Sequence, residues 1–322
     1  MPAATNATNP TRRERTTGFG ERHPIALIVF GVLVFSTGPV MVQWSDLTGP
    51  VLSFWRLWIG VAGTAVLTAF HLRMTGRRPS RAGWVGAAWA GVAFGVHQLM
   101  FMTAVKATSV VDVTLMQVLA PIVVAIIAVP LFDERPGARF RLWSIVAVAG
   151  AAGVAVAGSS GPKGDPAGMA LAASNVVLYS LFFVMSKRTR EHIDVVPFLF
   201  AVMGFAGVTV SAYCLLTGAP IGATRRGDLL VPLLMAAIPG GIGHFVSTWP
   251  LRWVPANIPP LLQLAIPFLS GALAWVLLGE GITGMHVISG ALTIVGVAGA
   301  IYSPGGRRLV REHDAALVVG EA

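Results

Sequence analysis

The chain alternates between long apolar runs and short polar or basic breaks. Ten of the runs are long enough to cross a bilayer, which takes roughly 20 residues at about 1.5 Å each. They cover 23–45, 51–72, 82–105, 113–132, 142–162, 166–186, 195–224, 229–251, 253–279 and 281–306. Lipid offers no water to backbone groups, so such runs must form helices or a closed barrel. Barrel strands alternate polar and apolar residues, and these runs do not. The pattern predicts an all-α integral membrane protein with ten transmembrane helices.

One apolar segment occurs twice in the chain. The copies are TLMQVLAPIVVAIIAVPLFDE, at 114–134, and PLLQLAIPFLSGALAWVLLGE, at 260–280. When position 114 is placed on 260, the matched pairs are Gln117 with Gln263, Pro121 with Pro267, Glu134 with Glu280, Gly150 with Gly296, and Gly153 with Gly299. A duplicated unit of this kind is typical of transporters built from internal repeats.

The duplication divides the chain into two units of five predicted helices. Because five is odd, the second unit must enter the membrane from the opposite side, which predicts an inverted pair. We expect a tail at 1–22, a first repeat at 23–158, a linker at 159–165, a second repeat at 166–303 and a tail at 304–322.

Charge placement predicts the orientation. Charged residues make up only 11% of the chain, hydrophobic residues 55%, and the mean hydropathy is +0.73. With both termini in the cytoplasm, most of the 23 lysines and arginines fall on the cytoplasmic side, as the positive-inside rule requires. The net charge of +9 therefore indicates orientation signals rather than nucleic-acid binding. The Ala, Gly, Val and Arg bias is typical of bacterial chains, so we expect the plasma membrane.

Each copy of the repeated segment carries a proline near the middle of its predicted helix, four residues after a glutamine. A proline inside a helix removes one hydrogen bond and disturbs the preceding turn, which frees carbonyl groups. Gln117 and Gln263 lie on the same helical faces as Pro121 and Pro267. All four are candidates for lining a central substrate cavity. Packing kinks and interhelical hydrogen bonds, worth about 0.6 kcal/mol each, are the alternative.

Further polar residues fall inside the predicted spans. His97 in helix 3 and His244 in helix 8 are the deep groups that titrate near neutral pH, so they are the candidates for proton coupling. A buried histidine is also often a neutral hydrogen-bonding residue. Asn175 and Tyr179 share one face of helix 6, and Ser36 lies in helix 1; these three are candidate ligand contacts.

Arg56 lies near the outer end of predicted helix 2, beside two tryptophans. An arginine at the bilayer centre costs about 2.5–3.5 kcal/mol, whereas one near the interface can extend to water. Two interpretations stay open: an anchor at the outer interface, or an anion contact at the outer mouth of a cavity.

Several of these segments resemble the EamA-type family of the drug/metabolite transporter superfamily. The matching pieces are SFWRLW around Arg56, AVKATS before helix 4, and LAPIVVAIIAVPLFDE and AIPFLSGALAWVLLGE, each followed by a glycine-rich helix. The resemblance covers about residues 24–302; WVPANIPP, at the entry to helix 9, departs from the family pattern. The resemblance to this family implies ten helices in two inverted repeats, and secondary transport, often export, of small metabolites or drugs.

We expect a secondary transporter for a small neutral, zwitterionic or amphipathic solute, because few deep charges are available to compensate a highly charged cargo. The alternatives are a carrier of phosphorylated or nucleotide sugars on the same scaffold, or a membrane protein without flux. The sequence contains no phosphate loop, no HExxH and no Cys/His metal spacing, so we expect no enzyme activity, cofactor or metal. The expected partners are a small-molecule substrate and the lipid bilayer.

Overall fold

A computed structural model describes most of the apolar part of the chain. The described residues are 24–76, 78–120, 122–123, 126–127, 137–159, 165–190, 192–243, 246, 263 and 265–303. Several predictions concern residues outside these ranges: both tails, most of the linker, Pro121, Glu134, His244 and the WVPANIPP segment.

The described residues form ten α-helices, as the pattern of apolar runs predicts. They are α1 Pro24–Trp44, α2 Gly49–Thr75, α3 Arg81–Ala107, α4 Val110–Gln117, α5 Ala138–Ser159, α6 Pro166–Arg190, α7 Val195–Thr217, α8 Leu230–Ala237, α9 Ile266–Leu278 and α10 Gly284–Tyr302. A π-helical segment, Ile238–Gly243, continues α8, and two 3-10 turns, Ile221–Ala223 and Arg226–Leu229, join α7 to α8.

Five of these helices are long and apolar enough to cross a membrane by themselves. They lie within α1, α2, α3, α6 and α7, and shorter apolar helices lie in α9 and α10. Large side chains such as Phe70 and Leu216, 66% and 88% exposed, cover the outside of these helices, as expected for surfaces that face lipid. These features support a multi-pass membrane protein; the number of spans and the orientation stay predictions.

Several helix ends follow from local sequence. Ser80, Ser109 and Thr283 precede α3, α4 and α10, and each side chain accepts a hydrogen bond from a first-turn amide. The α7 helix ends at Thr217, whereas the apolar run predicted a helix that continues to residue 224. The reason is Gly218, whose left-handed backbone (φ 68°) ends the helix.

The predicted fourth helix is not continuous over 113–132. The α4 helix ends at Gln117, and the next two amides bond to carbonyls only three residues back. Position 121 is a proline, which has no N–H to offer the Gln117 carbonyl. In the second repeat, Pro267 lies in the first turn of α9, directly after a turn at Ala265. Both copies of the segment therefore interrupt helical structure within one turn before their proline.

Several of the helix contacts recur when each helix of one repeat is exchanged for its equivalent in the other. The α3 helix packs on α6 and α7, and α8 with its π-helical segment packs correspondingly on α1 and α2. The α4 helix contacts α6, and α9 contacts α1. Two pairs, α2 with α7 and α5 with α10, are their own equivalents.

The α5–α10 contact repeats this symmetry at the level of single residues. A Cβ atom at Gly150 would lie 2.5 Å from the Thr293 amide nitrogen, and one at Gly296 would collide with the Ala147 amide nitrogen. Ala147 and Thr293 are themselves a matched pair of the repeat. One turn further, the close contacts are Gly153 with Ser289 and Gly299 with Trp143, again matched. Such reciprocal contacts define an isologous interface.

Candidate functional site

A layer of buried polar side chains lies inside the bundle. It comprises Arg56 on α2, His97 and Gln98 on α3, and Asn175 on α6, with exposures of 8%, 5%, 5% and 0%. From the rise of about 1.5 Å per residue, all four lie roughly 10–15 Å below the end of the bundle where α1 and α3 finish and α2 and α6 begin. We call this end the Gln43 end, after a residue of α1 near it. The four residues form the buried polar layer.

His97 is the centre of the buried polar layer. Its ring centroid lies 5.1 Å from that of Tyr179 and 5.6 Å from that of Phe94. The Asn175 side chain lies beside the imidazole, and the Arg56 guanidinium is within electrostatic range of it. Tyr179 follows Asn175 by one turn of α6, so both project toward α3, as their spacing predicts.

Arg56 approaches this layer from α2. One turn earlier, the Ser53 hydroxyl donates a hydrogen bond of 3.3 Å to the Gln98 carbonyl, which fixes α2 against α3 at this depth. On the other side, Arg56 Nη2 lies 3.8 Å from the position that a Cβ atom at Gly240 would occupy. Gly240 belongs to the π-helical segment after α8, a feature that often occurs at functional sites. The burial of Arg56 does not fit the alternative of an exposed interface anchor.

The buried polar layer contains all the buried side-chain nitrogen and oxygen atoms that lack a hydrogen-bond partner within the described part of the chain. The atoms are Arg56 Nε and Nη1, His97 Nδ1, Gln98 Oε1, and Asn175 Nδ2 and Oδ1. Buried polar groups are nearly always hydrogen-bonded, because an unmade bond costs about 1–3 kcal/mol. Their concentration in one layer is what a binding site for a polar solute or water requires.

Ser36 has a structural contact between helices. Its hydroxyl donates to the Val32 carbonyl of its own helix, at 2.7 Å. Its carbonyl accepts a hydrogen bond of 3.0 Å from the Ser270 hydroxyl, which joins α1 to α9. Pro39 lies three residues further along α1, where a proline loosens the preceding carbonyls.

The repeated glutamines lie near the breaks in their helices. Gln117 is half-buried at the end of α4, Gln263 is half-buried before α9, and Pro267 is buried. Pro121 and His244 lie outside the described residues. The role of these five residues as cavity lining stays a prediction.

A second cluster of polar side chains joins the two repeats at the Gln43 end. The sequence did not show that these residues lie together. Glu280, directly after α9, is 6% exposed. One of its carboxylate oxygens accepts a hydrogen bond of 3.0 Å from the Val110 amide, and the other lies 3.5 Å from Gln43 Nε2. The same Gln43 side chain donates to the Thr108 carbonyl at 2.9 Å.

A buried Asp–His pair lies beside this contact. Asp112 Oδ1 is 3.0 Å from His286 Nε2, and Asp112 Oδ2 accepts hydrogen bonds from the Thr108 and Ser109 hydroxyls. Thr283 caps α10 and holds the other ring nitrogen of His286. Asp112 and Glu280 directly flank the predicted runs 113–132 and 253–279, and both lie beside helix ends in the structure, but the apolar pattern did not reveal His286. The available signal was the Thr-x-x-His start of α10, which resembles a capping box.

No group of three or more His, Cys, Asp or Glu side chains that could hold a metal ion occurs among the residues with described positions. The buried polar layer offers groups suited to the recognition of a solute: one guanidinium, amide groups, an imidazole and adjoining aromatic rings.

The fold and the buried polar layer define a helical membrane protein of two equivalent halves with polar groups at its centre. Comparison with known families agrees with this class. The model of the EamA-like transporter family matches twice, at residues 23–156 and 166–302. The two matches cover most of the chain, so the protein belongs to the EamA-like transporter family, as the resemblance of its motifs indicates.

Individual relatives are more distant. An uncharacterized transporter of Archaeoglobus fulgidus is 26% identical over 119 residues, which are 37% of this chain and 42% of that relative. The aligned part therefore spans less than half of the relative's length. A protein of known crystal structure with 22% identity matches 89% of this chain and 99% of its own, with a TM-score of 0.56. At this identity the structural likeness shows the fold alone.

Proposed function

We propose that the protein is a secondary active transporter that exports a small polar or amphipathic solute across the plasma membrane by alternating access. The observation that carries the proposal is the buried polar layer, where α2 and α3 of one repeat meet α6 and α8 of the other. Membership of a transporter family supports it. A site at a repeat interface near mid-depth is typical of secondary transporters.

The two repeats are proposed to be inverted, with residues 159–165 as the linker and both termini in the cytoplasm. The reciprocal α5–α10 contacts and the exchange pattern of helix packing support a two-fold relation between the halves. The placement of arginines supports the orientation. In this orientation the Gln43 end is the outer end.

The contacts at the Gln43 end suggest how access is controlled. Glu280 joins α9 to α1 and α4, and the Asp112–His286 pair joins α4 to α10. These bonds connect the two repeats, and we infer that they close the outer end in this conformation. Exposure of the centre to the outside would require them to break, because the repeats could not otherwise separate there.

The glutamines of the repeated segment provide the test. In reconstituted vesicles, substitution of both Gln117 and Gln263 with leucine is expected to reduce solute flux at least tenfold while the protein inserts normally. Replacing the exposed apolar Leu216 with alanine is the control, and it should leave flux unchanged. Unchanged flux in the double variant would show that these glutamines do not line the path.

The alternative functions predict different results. A carrier of phosphorylated or nucleotide sugars needs several deep cations, and the buried polar layer contains one guanidinium. A membrane protein without transport activity would give no flux for any solute in a mixed metabolite and drug panel. The initial panel is best chosen by comparing metabolite content and drug sensitivity between cells that lack the protein and cells that overproduce it.

A further inference from the structure

We propose that Arg56 binds a carboxylate of the transported solute, and that His97, Gln98 and Asn175 hold the polar part next to that carboxylate. The proposal rests on the transporter function proposed above and names the solute class: small monocarboxylates or zwitterions with an apolar or aromatic body.

Arg56 differs from the other arginines of the chain in its burial. Every other arginine whose exposure the structure describes is exposed at a helix end or in a loop: Arg73, Arg78, Arg81, Arg139, Arg141, Arg188, Arg225 and Arg226. Arg56 is 8% exposed, two turns inside α2. A guanidinium keeps its charge in proteins, so this position holds a permanent buried positive charge.

No described carboxylate compensates this charge. Asp112 pairs with His286, Asp194 pairs with His71, and Glu280 bonds to the Val110 amide. Arg56 Nε and Nη1 have no hydrogen-bond partner among the residues with described positions. A buried charge without a partner is strongly unfavourable, particularly inside a membrane, and such residues commonly mark substrate paths. The site therefore favours an anionic ligand.

A carboxylate is the anionic group that fits best. The planar guanidinium matches a planar carboxylate with two parallel hydrogen bonds, and the pair is stronger than neutral hydrogen bonds. One positive charge compensates one negative charge. When the part of the first repeat upstream of the duplicated segment is displaced by 144 positions, Gly60 falls on Gly204 and Arg56 falls on Phe200. The second repeat therefore supplies no equivalent arginine in this alignment. A doubly charged phosphate would leave an uncompensated charge, which argues against it.

The neighbours of Arg56 indicate the remainder of the solute. Gln98 Oε1 and Asn175 Oδ1 are buried acceptors without partners among the described residues, and they suit an ammonium, amide or hydroxyl group next to the carboxylate. The His97 ring also lies near the rings of Phe101 and Tyr179, at centroid distances of 6.2 and 5.1 Å. These rings suit an apolar or aromatic body.

The first test uses the empty protein. Arg56→Met keeps an unbranched apolar stem and removes the charged guanidinium, and Arg73→Met, at the exposed end of the same helix, is the matched control. If Arg56 is held ready for a ligand, the thermal midpoint of the purified full-length Arg56→Met protein in detergent should equal or exceed that of the wild type. A midpoint several degrees lower than that of Arg73→Met would show that Arg56 has a structural partner, and would overturn the proposal.

The second test uses matched pairs of solutes that differ only in the carboxylate: benzoate with benzamide, and N-acetylphenylalanine with its amide. Each acid should raise the thermal midpoint of the wild type at a concentration at least tenfold lower than its amide requires. This preference should disappear in Arg56→Met and persist in Arg73→Met. Equal behaviour of acids and amides, including no effect of either, or a preference that persists in Arg56→Met, would overturn the inference.

Flux measurements in vesicles separate this inference from the transporter proposal. Transport of amides and acids at equal rates would contradict the proposed carboxylate site and would still support the proposed transporter function. Carboxylate binding that depends on Arg56 without any flux would have the opposite meaning: the anion site would stand, and the proposed function would fail.

Discussion

Gly150 and Gly296 hold α5 and α10 together by one contact that is made twice. At each glycine the backbone of the opposite helix, at Thr293 and Ala147 respectively, occupies the space that a side chain would need. The four residues form two matched pairs of the internal repeat, so the contact is reciprocal. Backbones that approach this closely are characteristic of membrane helices that meet at small residues.

Substitution of either glycine with alanine is therefore expected to force α5 and α10 apart and to destabilise the protein by about 1–3 kcal/mol. Because the contacts are equivalent, Gly150→Ala and Gly296→Ala should lower the thermal midpoint in detergent by similar amounts. Gly63→Ala in α2 is the control, since a Cβ atom there meets nothing within 4 Å. It should be neutral or stabilise by up to about 1 kcal/mol. Equal effects at all three positions would contradict the close contact.

Glu280 is expected to stabilise the closed Gln43 end. Glu280→Leu leaves the buried Val110 amide without its acceptor, which costs about 1–3 kcal/mol. Glu280→Gln keeps one acceptor oxygen and should lose less. Thermal unfolding measures the loss of stability. Opening of the Gln43 end is measured in a Ser36→Cys, Cys214→Ser protein, as the rate at which a membrane-impermeant thiol reagent labels position 36. Labelling that is no faster in Glu280→Leu than in the parent would argue against a closing role.

The Asp112–His286 pair should behave as one energetic unit between the repeats. In a double-mutant cycle with Asp112→Asn and His286→Gln, we expect a coupling energy of about 0.5–3 kcal/mol, because the groups are buried and 3.0 Å apart. The half-buried His71–Asp194 pair provides a comparison, with an expected coupling at or below about 1 kcal/mol because its side chains are 24% and 41% exposed. A coupling no larger than that of the half-buried pair would show that the contact contributes little.

Of the two histidines that the sequence offers for proton coupling, His97 and His244, His97 lies within the described residues. If the transported proton binds its imidazole, His97→Gln should abolish the dependence of flux on a pH gradient, while solute exchange at equal pH continues at a reduced rate, because His97 is also proposed to contact the solute. His192, an exposed histidine just after the C-terminal end of α6, is the control, and His192→Gln should keep the gradient dependence. Flux in His97→Gln that still follows the pH gradient would assign coupling to another group.

Much of the architecture is readable from the sequence because each relevant signal is local. Apolar runs long enough for a membrane predicted ten helices, and ten are observed in the described residues. The duplicated segment predicted interruptions beside Pro121 and Pro267, and α4 ends and α9 begins within one turn of those positions. The early end of α7 at Gly218 was missed, since an apolar run does not mark where a backbone turns left-handed.

The tertiary structure alone determined which polar residues meet. Periodicity assigns a residue to a helix face and a depth, but the rotation of each helix against its neighbours follows from packing of the whole bundle. The sequence placed Arg56 at the outer edge of its helix, but the packing buries it near His97. The packing also places Ser36 in a contact between α1 and α9. It also joins Asp112 to His286 across 174 positions of the chain. Sequence by itself determined the repeated scaffold; packing decided where its charges are buried.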